Sequence, residues 1–372
     1  MATYEEKQFK TIINKLKYID GWFWCRYTVN PYSGCEHACV YCDARSQKYY
    51  LHPEFEEIIY VKKNAAEMLD SKLKRARTML PDVVALGGVC DAYQPAEKIY
   101  LNTQKILKIL LKHGYTAEIS TKSNLVTRDG EILSQIARKT GWCTVMFTIT
   151  TTDKEVFEFL EPGASTPGER FDAIRKMKRD FPDVQVGTNF MPIVPFLEDS
   201  DENIEGVIKK SKEAGADFVL FAAGMSMQDL QKDFFLKRLK KRYPGIYEDF
   251  IDLYEGKMHP KSEWIRNMSL KAIQACEKHK IPHRMKRYIP KDFRRVNYKV
   301  AEYLINKAYA LEVQGKKHDR YQWAGLLIQN LNESLDDIAA RNELQKIKNV
   351  DKQIETEIKP FLKKKVNLDS FL

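Results

Sequence analysis

The sequence has no apolar run approaching the ~20 residues that cross a bilayer, which excludes a helical membrane span. The opening residues, MATYEEKQFK, lack the apolar centre of a signal peptide, so the expected compartment is the cytoplasm, where thiols stay reduced. Cysteine is sparse: seven residues in 372, an odd number, which argues against a disulfide framework. A second Cys-x₂-Cys pair is missing, and paired knuckles are the usual form of a zinc site. Low-complexity tracts are absent too, and no internal repeat stands out beyond a strand–helix alternation. Acidic residues thin out late in the chain. Residues 1–230 hold 30 Lys and Arg against 32 Asp and Glu, whereas 231–372 hold 31 against 19, so the whole excess of the +10 net charge is C-terminal. A field of one sign confined to one region speaks of polyanionic partners, not of fold.

Three of the seven cysteines stand together. Cys35, Cys39 and Cys42 lie in NPYSGCEHACVYCDAR at the spacing Cys-x₃-Cys-x₂-Cys. They follow an aromatic, β-branched run (Trp22, Phe23, Trp24, Tyr27, Val29) closed by Pro31 and Gly34, so they are expected at the end of a strand. Three thiolates leave one corner of a four-iron, four-sulfur cubane open to another ligand. The competing reading is a structural zinc ion, with His37, Cys25 or Cys90 as fourth ligand.

Downstream, the pattern predicts helix 64–80, strand 83–86 running into Gly87-Gly88, and a helix from Glu97 to Gly114 with Ile99, Ile106 and Leu110 on one face. It continues with strand 117–121, helix 130–139, strand 144–150, helix 168–178, strand 184–191, helix 202–214 and strand 218–222. Regular alternation implies a parallel sheet with right-handed crossovers. The expected fold class is α/β: an open six-unit (β/α) partial TIM barrel over residues 15–230, with sites at the C-terminal ends of the strands.

A basic helical extension is expected over 231–330. Within it, Ile281 to Arg295 interleaves six Lys and Arg with Tyr288 and Phe293, which suits a nucleic-acid surface or, equally, a basic connector with its aromatics tucked in. Residues 331–372 resemble a helix-hairpin-helix element in which Asn349 and Asp351 stand at the usual glycine positions and Glu355 replaces a small residue. Asp351 would repel a phosphate, so a purely structural hairpin is expected there.

The cysteine spacing, with Tyr41 as the aromatic residue before the last cysteine, resembles the radical S-adenosylmethionine (SAM) superfamily. Four ordered motifs, namely the cysteine loop, CDAYQPAE (90–97), STKSNLVTRD (120–129) and LEPGASTPGER (160–170), resemble its spore photoproduct lyase-like group. The resemblance implies a 4Fe–4S cluster on Cys35, Cys39 and Cys42, with SAM on the open iron. The cluster would cleave SAM reductively, and the 5′-deoxyadenosyl radical would take a hydrogen atom from the substrate. For SAM, it implies Asp91 at the ammonium, Lys122, Ser123 and Arg170 at the carboxylate, Thr148 and Thr150 at the ribose, and Asn189 beside the adenine. Gly87 and Gly88 would pass close to the cofactor. In the lyase of the group, a cysteine at the position of Gly88 returns a hydrogen atom to the product radical. The nearby thiol here is Cys90, which would share a face with position 88 if the strand continued. Expected partners are a nucleic acid, undergoing lesion repair or base modification, and an electron donor such as a flavodoxin or ferredoxin. No membrane is expected. The other readings are radical modification of a peptide or protein, and a nucleic-acid-binding protein with a structural cluster.

Overall fold

A computed structural model describes residues 2–362. They form two compact units, one made of the residues up to Lys15 with Tyr27–Lys286, the other of Leu16–Arg26 with the residues from Arg287 onward.

The strands of the first unit are Thr3–Lys7 (β1), Ile13–Lys15 (β2), Tyr27–Val29 (β3), Tyr32–Ser33 (β4), Ile58–Lys62 (β5), Val83–Leu86 (β6), Thr116–Thr121 (β7), Thr144–Thr148 (β8), Gln185–Ile193 (β9) and Phe218–Ala223 (β10). Seven of them build one sheet in the order β10-β9-β8-β7-β6-β3-β2. All neighbours are parallel except β2, which pairs antiparallel with β3 at the edge. Every residue of β6 and β8 is buried, the pattern of a parallel sheet covered on both faces. The fold is thus mixed α/β around a parallel sheet. A small second sheet, β1-β5-β4, was not foreseen. β1 is mostly polar and β4 only two residues long, so they carry little periodic signal; β5, the apolar run IIYVK, is the readable strand of the three.

Helices fill the crossovers with shifted ends. The helix predicted over 64–80 is Ala65–Arg75, and that predicted over 168–178 is Pro167–Asp180. The latter starts where Thr166 and Glu169 form a capping box with Pro167 at the first position. The helix expected from Glu97 breaks: Leu101 adopts a left-handed conformation between Glu97–Tyr100 and Asn102–His113. Ile99 therefore leaves the face of Ile106 and Leu110 and stands 63% exposed.

The boundary expected at residue 230 is corrected to Lys286. Helices Asp229–Arg242, Tyr247–Tyr254 and Ser262–Lys278 belong to the first unit. The last contributes Met268, Ala272, Ala275 and Cys276 to the apolar core around the sheet. Among the described residues, no helix is long and apolar enough to cross a membrane.

The second unit is helical. Its core joins Val296, Val300, Leu304 and Ala308 of Arg294–Val313 to Ala324 and Ile328 of Asp319–Ile328, then to Leu335, Ile338, Ile354 and Ile358. Trp22 to Trp24 are not strand, as the aromatic run had suggested; they form a turn within this unit. Arg287 lies between Trp24 and Tyr298, its guanidinium 4.6 and 4.3 Å from the ring centroids, and donates to Gln329. Tyr288 and Arg294 are buried as well, whereas Lys286, Lys291, Phe293 and Arg295 are exposed, so the cationic, aromatic segment divides between packing and open surface. At the C-terminal hairpin, Asn349 takes a left-handed φ of 67°, as a glycine would. Asp351 caps Lys352–Ile358 by accepting from Ile354 N and pairs with Arg320. The tail of the predicted 331–372 segment, beyond residue 362, lies outside the described residues.

Candidate active site

The cysteine loop leaves β4 and crosses the C-terminal ends of the parallel strands. Its backbone is held from several directions. Cys35 N donates to Phe55 O at 2.8 Å and Val40 N to Leu160 O at 2.8 Å. Arg45, three residues past Cys42, donates to Cys39 O at 3.2 Å and forms a 2.8 Å pair with Glu56. Gln94 donates to Gly34 O and accepts from Glu36 N. Gly163 packs its α-carbon so close to the loop that a Cβ there would sit 2.2 Å from Glu36 O. The motifs around residues 91–97 and 160–170 therefore brace the loop. All seven cysteines are free thiols. Burial pushes the Cys39 thiol up to about 12, with the Lys122 and Arg170 cations pulling against it. Among the described residues, no three His, Cys, Asp or Glu groups converge as a site for a single metal ion does.

Asp91 is a knot in this bracing. One carboxylate oxygen accepts from Thr121 Oγ1 at 2.7 Å and Tyr93 N at 2.8 Å. The other accepts from Lys122 N at 2.7 Å and faces His37 Nδ1 at 3.3 Å. Burial would raise its pKa, but the His37 ring and these N–H donors outweigh burial and hold it at about 2. A carboxylate offers about four lone-pair sites, and three of them are taken by these N–H and O–H donors; His37 Nδ1 stands near the fourth without a hydrogen bond. In the structure Asp91 ties the end of β6 to the end of β7 and faces His37 of the cysteine loop.

Arg170 is tied into the structure likewise. It is fully buried, pairs with Glu161 at 2.6 Å, and donates to Ser165 O and Thr148 O at 2.7 and 2.5 Å. Glu161 also accepts from the Tyr41 hydroxyl. Lys122 remains the reachable cation: its ammonium lies 5.5 Å above the Tyr41 ring. Burial acts to lower its pKa, but Cys39 and Glu161 raise it to about 12. Ser123 caps the turn Asn124–Asp129 by accepting from Leu125 N.

Two further expectations change at the end of β6. The strand stops at Leu86, so side-chain alternation does not carry Cys90 toward position 88. The Cys90 thiol is buried and donates to Tyr32 O at 3.2 Å. Gly87, at φ 100°, is required by its neighbour: a Cβ would meet Ser120 O at 2.5 Å. Gly88 differs, because a Cβ there would meet nothing within 4 Å.

At the ends of β8 and β9, polar atoms are buried without partners. They are Asn189 Oδ1, inside β9 and paired in register with Thr148, and Thr150 Oγ1 and Glu198 Oε1, which face each other beyond the strands while the other Glu198 oxygen accepts from Val194 N at 2.9 Å. Burial holds the Glu198 carboxyl well above the usual range. Such orphans are rare in a folded interior and mark a place where a ligand supplies the missing partner. Thr148 is buried beside them on β8. Sequence reading missed Glu161, Glu198 and Arg45, and placed His37 only as an alternative zinc ligand. Glu161 lies inside a motif that was quoted for its arginine, and the position of Glu198 after the long β9 was the available signal.

The radical SAM superfamily profile matches residues 29–209. The chain belongs to the radical SAM superfamily. An uncharacterized protein of Mycobacterium tuberculosis is 31% identical over 233 residues, covering 62% of this chain and 67% of that protein. Another, from Methanocaldococcus jannaschii, is 28% identical over 224 residues, covering 60% and 78%. Among solved structures, spore photoproduct lyase complexed with dinucleoside spore photoproduct superposes at a TM-score of 0.56, with 15% identity, covering 74% of this chain and 79% of that one. A variant of that lyase with bound AdoMet gives 0.51, with 15% identity and coverage of 68% and 74%. At these identities the likeness to the lyase is one of fold.

Radical SAM proteins use a 4Fe–4S cluster and SAM. The residues present in this radical SAM domain fit both. Cys35, Cys39 and Cys42 offer three thiols on a braced loop, the donor set that leaves an iron open. The orphaned Thr150, Asn189 and Glu198, with the Lys122 ammonium, offer the unmet hydrogen bonds that a nucleoside amino acid would satisfy.

Proposed function

We propose that the protein cleaves SAM reductively and directs the resulting radical at a nucleic acid, on an open six-unit (β/α) partial barrel formed by β3, β6, β7, β8, β9 and β10. The observation that carries this reading is the braced three-cysteine loop facing strand ends with buried, unpartnered polar atoms. When bound, the cluster and SAM supply the electron and the 5′-deoxyadenosyl radical that removes hydrogen from the substrate. The chain's own residues do the rest. Cys35, Cys39 and Cys42 would hold the cluster. Lys122 supplies the positive charge for a carboxylate, and Thr150, Asn189 and Glu198 orient hydroxyl and base edges. The buried pairs Tyr41–Glu161 and Glu161–Arg170 keep water from beneath the loop.

Support for a nucleic-acid substrate comes from the four group motifs, from the lyase bound to a dinucleoside photoproduct, and from the C-terminal charge excess. Of the two nucleic-acid reactions, base modification is favoured over thiol-completed lesion repair. Gly88 carries no thiol, and that of Cys90 is turned to Tyr32 O. The test is anaerobic turnover with dithionite, first without substrate and then with single-stranded, duplex and RNA oligonucleotides. Nucleoside formation with a mass change in one oligonucleotide supports the reading. Nucleoside formation with no change in any of them moves the substrate to another class. A cluster that yields no 5′-deoxyadenosine would be structural.

A further inference from the structure

The helix Asp229–Arg242 is seated directly on the cysteine loop. Gln231 donates to Tyr41 O at 3.1 Å, and Asp229 accepts from Ser46 Oγ at 2.9 Å. Gln231, Phe235 and Leu239, at spacing i, i+4, i+8, form its buried side. The flank beside it carries Leu230, Phe234, Lys237, Arg238 and Lys241, which at i, i+4, i+7, i+8 and i+11 lie on one stripe, with Phe234 partly buried against the core. Leu230 is 53% exposed, and Lys237, Arg238 and Lys241 are exposed. Lys237 and Lys241 have no ion pair among the described residues; the acidic neighbours of the stripe are Asp233, four residues before Lys237, and Glu56, which pairs with Arg45 and acts on Arg238. Phe234 is covered by two guanidiniums, Arg238 at 3.3 Å and Arg45 at 3.4 Å from the ring centroid. Those distances place them on opposite faces. Arg45 in turn donates to Cys39 O. One continuous line of contacts therefore runs from an exposed cation to a cluster-holding cysteine: Arg238, Phe234, Arg45, Cys39.

We propose that this stripe docks an acidic one-electron donor protein. The inference rests on the reading above, in which SAM cleavage consumes an electron from outside; the donor is oxidised by one electron, the cluster is reduced by one, and no bond changes at this surface. Unpaired cations around an exposed leucine match a partner with an acidic rim and an apolar centre. A nucleic-acid strand is the poorer fit, because both faces of the aromatic ring on the stripe are taken and cannot stack on a base.

The test uses the reconstituted full-length protein with a reduced, acidic flavodoxin as probe, beside dithionite as a small reductant. In the parent, flavodoxin affinity and flavodoxin-driven 5′-deoxyadenosine formation should both fall as salt rises. In the double variant Lys237→Glu, Lys241→Glu, both should fall about tenfold or more at low salt, within the range that electrostatic steering spans. Dithionite-driven formation and the thermal midpoint should stay at parental values. Leu230→Ser should weaken flavodoxin binding without changing its salt dependence. Flavodoxin affinity unchanged in the double variant would overturn the proposal. So would a single-stranded oligonucleotide whose binding is lost with the same two lysines while flavodoxin does not bind the parent. If dithionite yields no nucleoside in the parent, the SAM-cleavage reading fails, and the binding arm still decides the surface.

Discussion

Replacing Asp91 by Asn keeps the shape of the side chain but turns two of its acceptor sites into donors. These would face N–H groups of Tyr93 or Lys122, which are left buried and unpaired. Each such group costs about 1–3 kcal/mol. The expected result is a lower thermal midpoint and lower iron content after reconstitution, with SAM affinity falling in parallel. Loss of SAM affinity alone, at parental midpoint and iron content, would return the carboxylate to the ligand. Gly163→Ala tests the same bracing from the other side: a Cβ 2.2 Å from Glu36 O forces backbone movement, at about 1–3 kcal/mol for overpacking. Iron retention should fall with the midpoint. The three cysteines and Tyr41 were legible because their spacing is rigid chemistry. The roles of Asp91 and Arg170 were not, because a sequence shows which charges are present and not how many internal donors and acceptors already consume them.

At the scale of elements, the parallel strands could be read from short apolar runs between helical periods, and β6 to β10 lie within a few residues of expectation. The break at Leu101 could not be read, since Ile99, Ile106 and Leu110 keep helical spacing through it. Ile99→Ser should therefore change stability by no more than about 0.5 kcal/mol, as surface substitutions do. Ile106→Ala, in the core, should cost about 2–5 kcal/mol. Equal effects in urea titrations would mean that the helix runs straight. In the second unit, Glu357 receives Lys307, Gln353 and Tyr321. Burial acts to raise its pKa, and these partners, Lys307 first, outweigh burial and lower it. A carboxyl depressed on folding adds stability above its unfolded pKa and loses it as pH falls through the folded one. Glu357→Gln should accordingly lower the melting temperature at pH 7 and narrow the gap to the parent below pH 4. A gap that stays constant between the two pH values would remove the charge from the account.

For the molecule as a whole, charge was visible and its placement was not. The excess of Lys and Arg after residue 230 is a count, yet the count says nothing of Arg287 and Arg294 being drawn into packing or of Ser262–Lys278 closing over the sheet. Arg287→Ala and Tyr288→Ala should thus each lower the melting temperature, the first by stripping Trp24 and Tyr298 of their shared cation. If the parent binds oligonucleotides, the slope of log affinity on log salt should stay near parental in Arg287→Ala, because a buried cation releases no counterion. A slope shallower by about 0.7–0.9 would instead place that guanidinium on a phosphate.

One experiment tests cluster and chemistry together: quantifying 5′-deoxyadenosine and iron after anaerobic reconstitution with iron and sulfide, followed by SAM and dithionite. The parent should be brown, hold about four irons per chain as a cubane requires, and form the nucleoside. Cys35→Ala, Cys39→Ala and Cys42→Ala should each lose both cluster and nucleoside. A colourless parent with stoichiometric zinc, or nucleoside formed at the parental rate by any of the three variants, would contradict it.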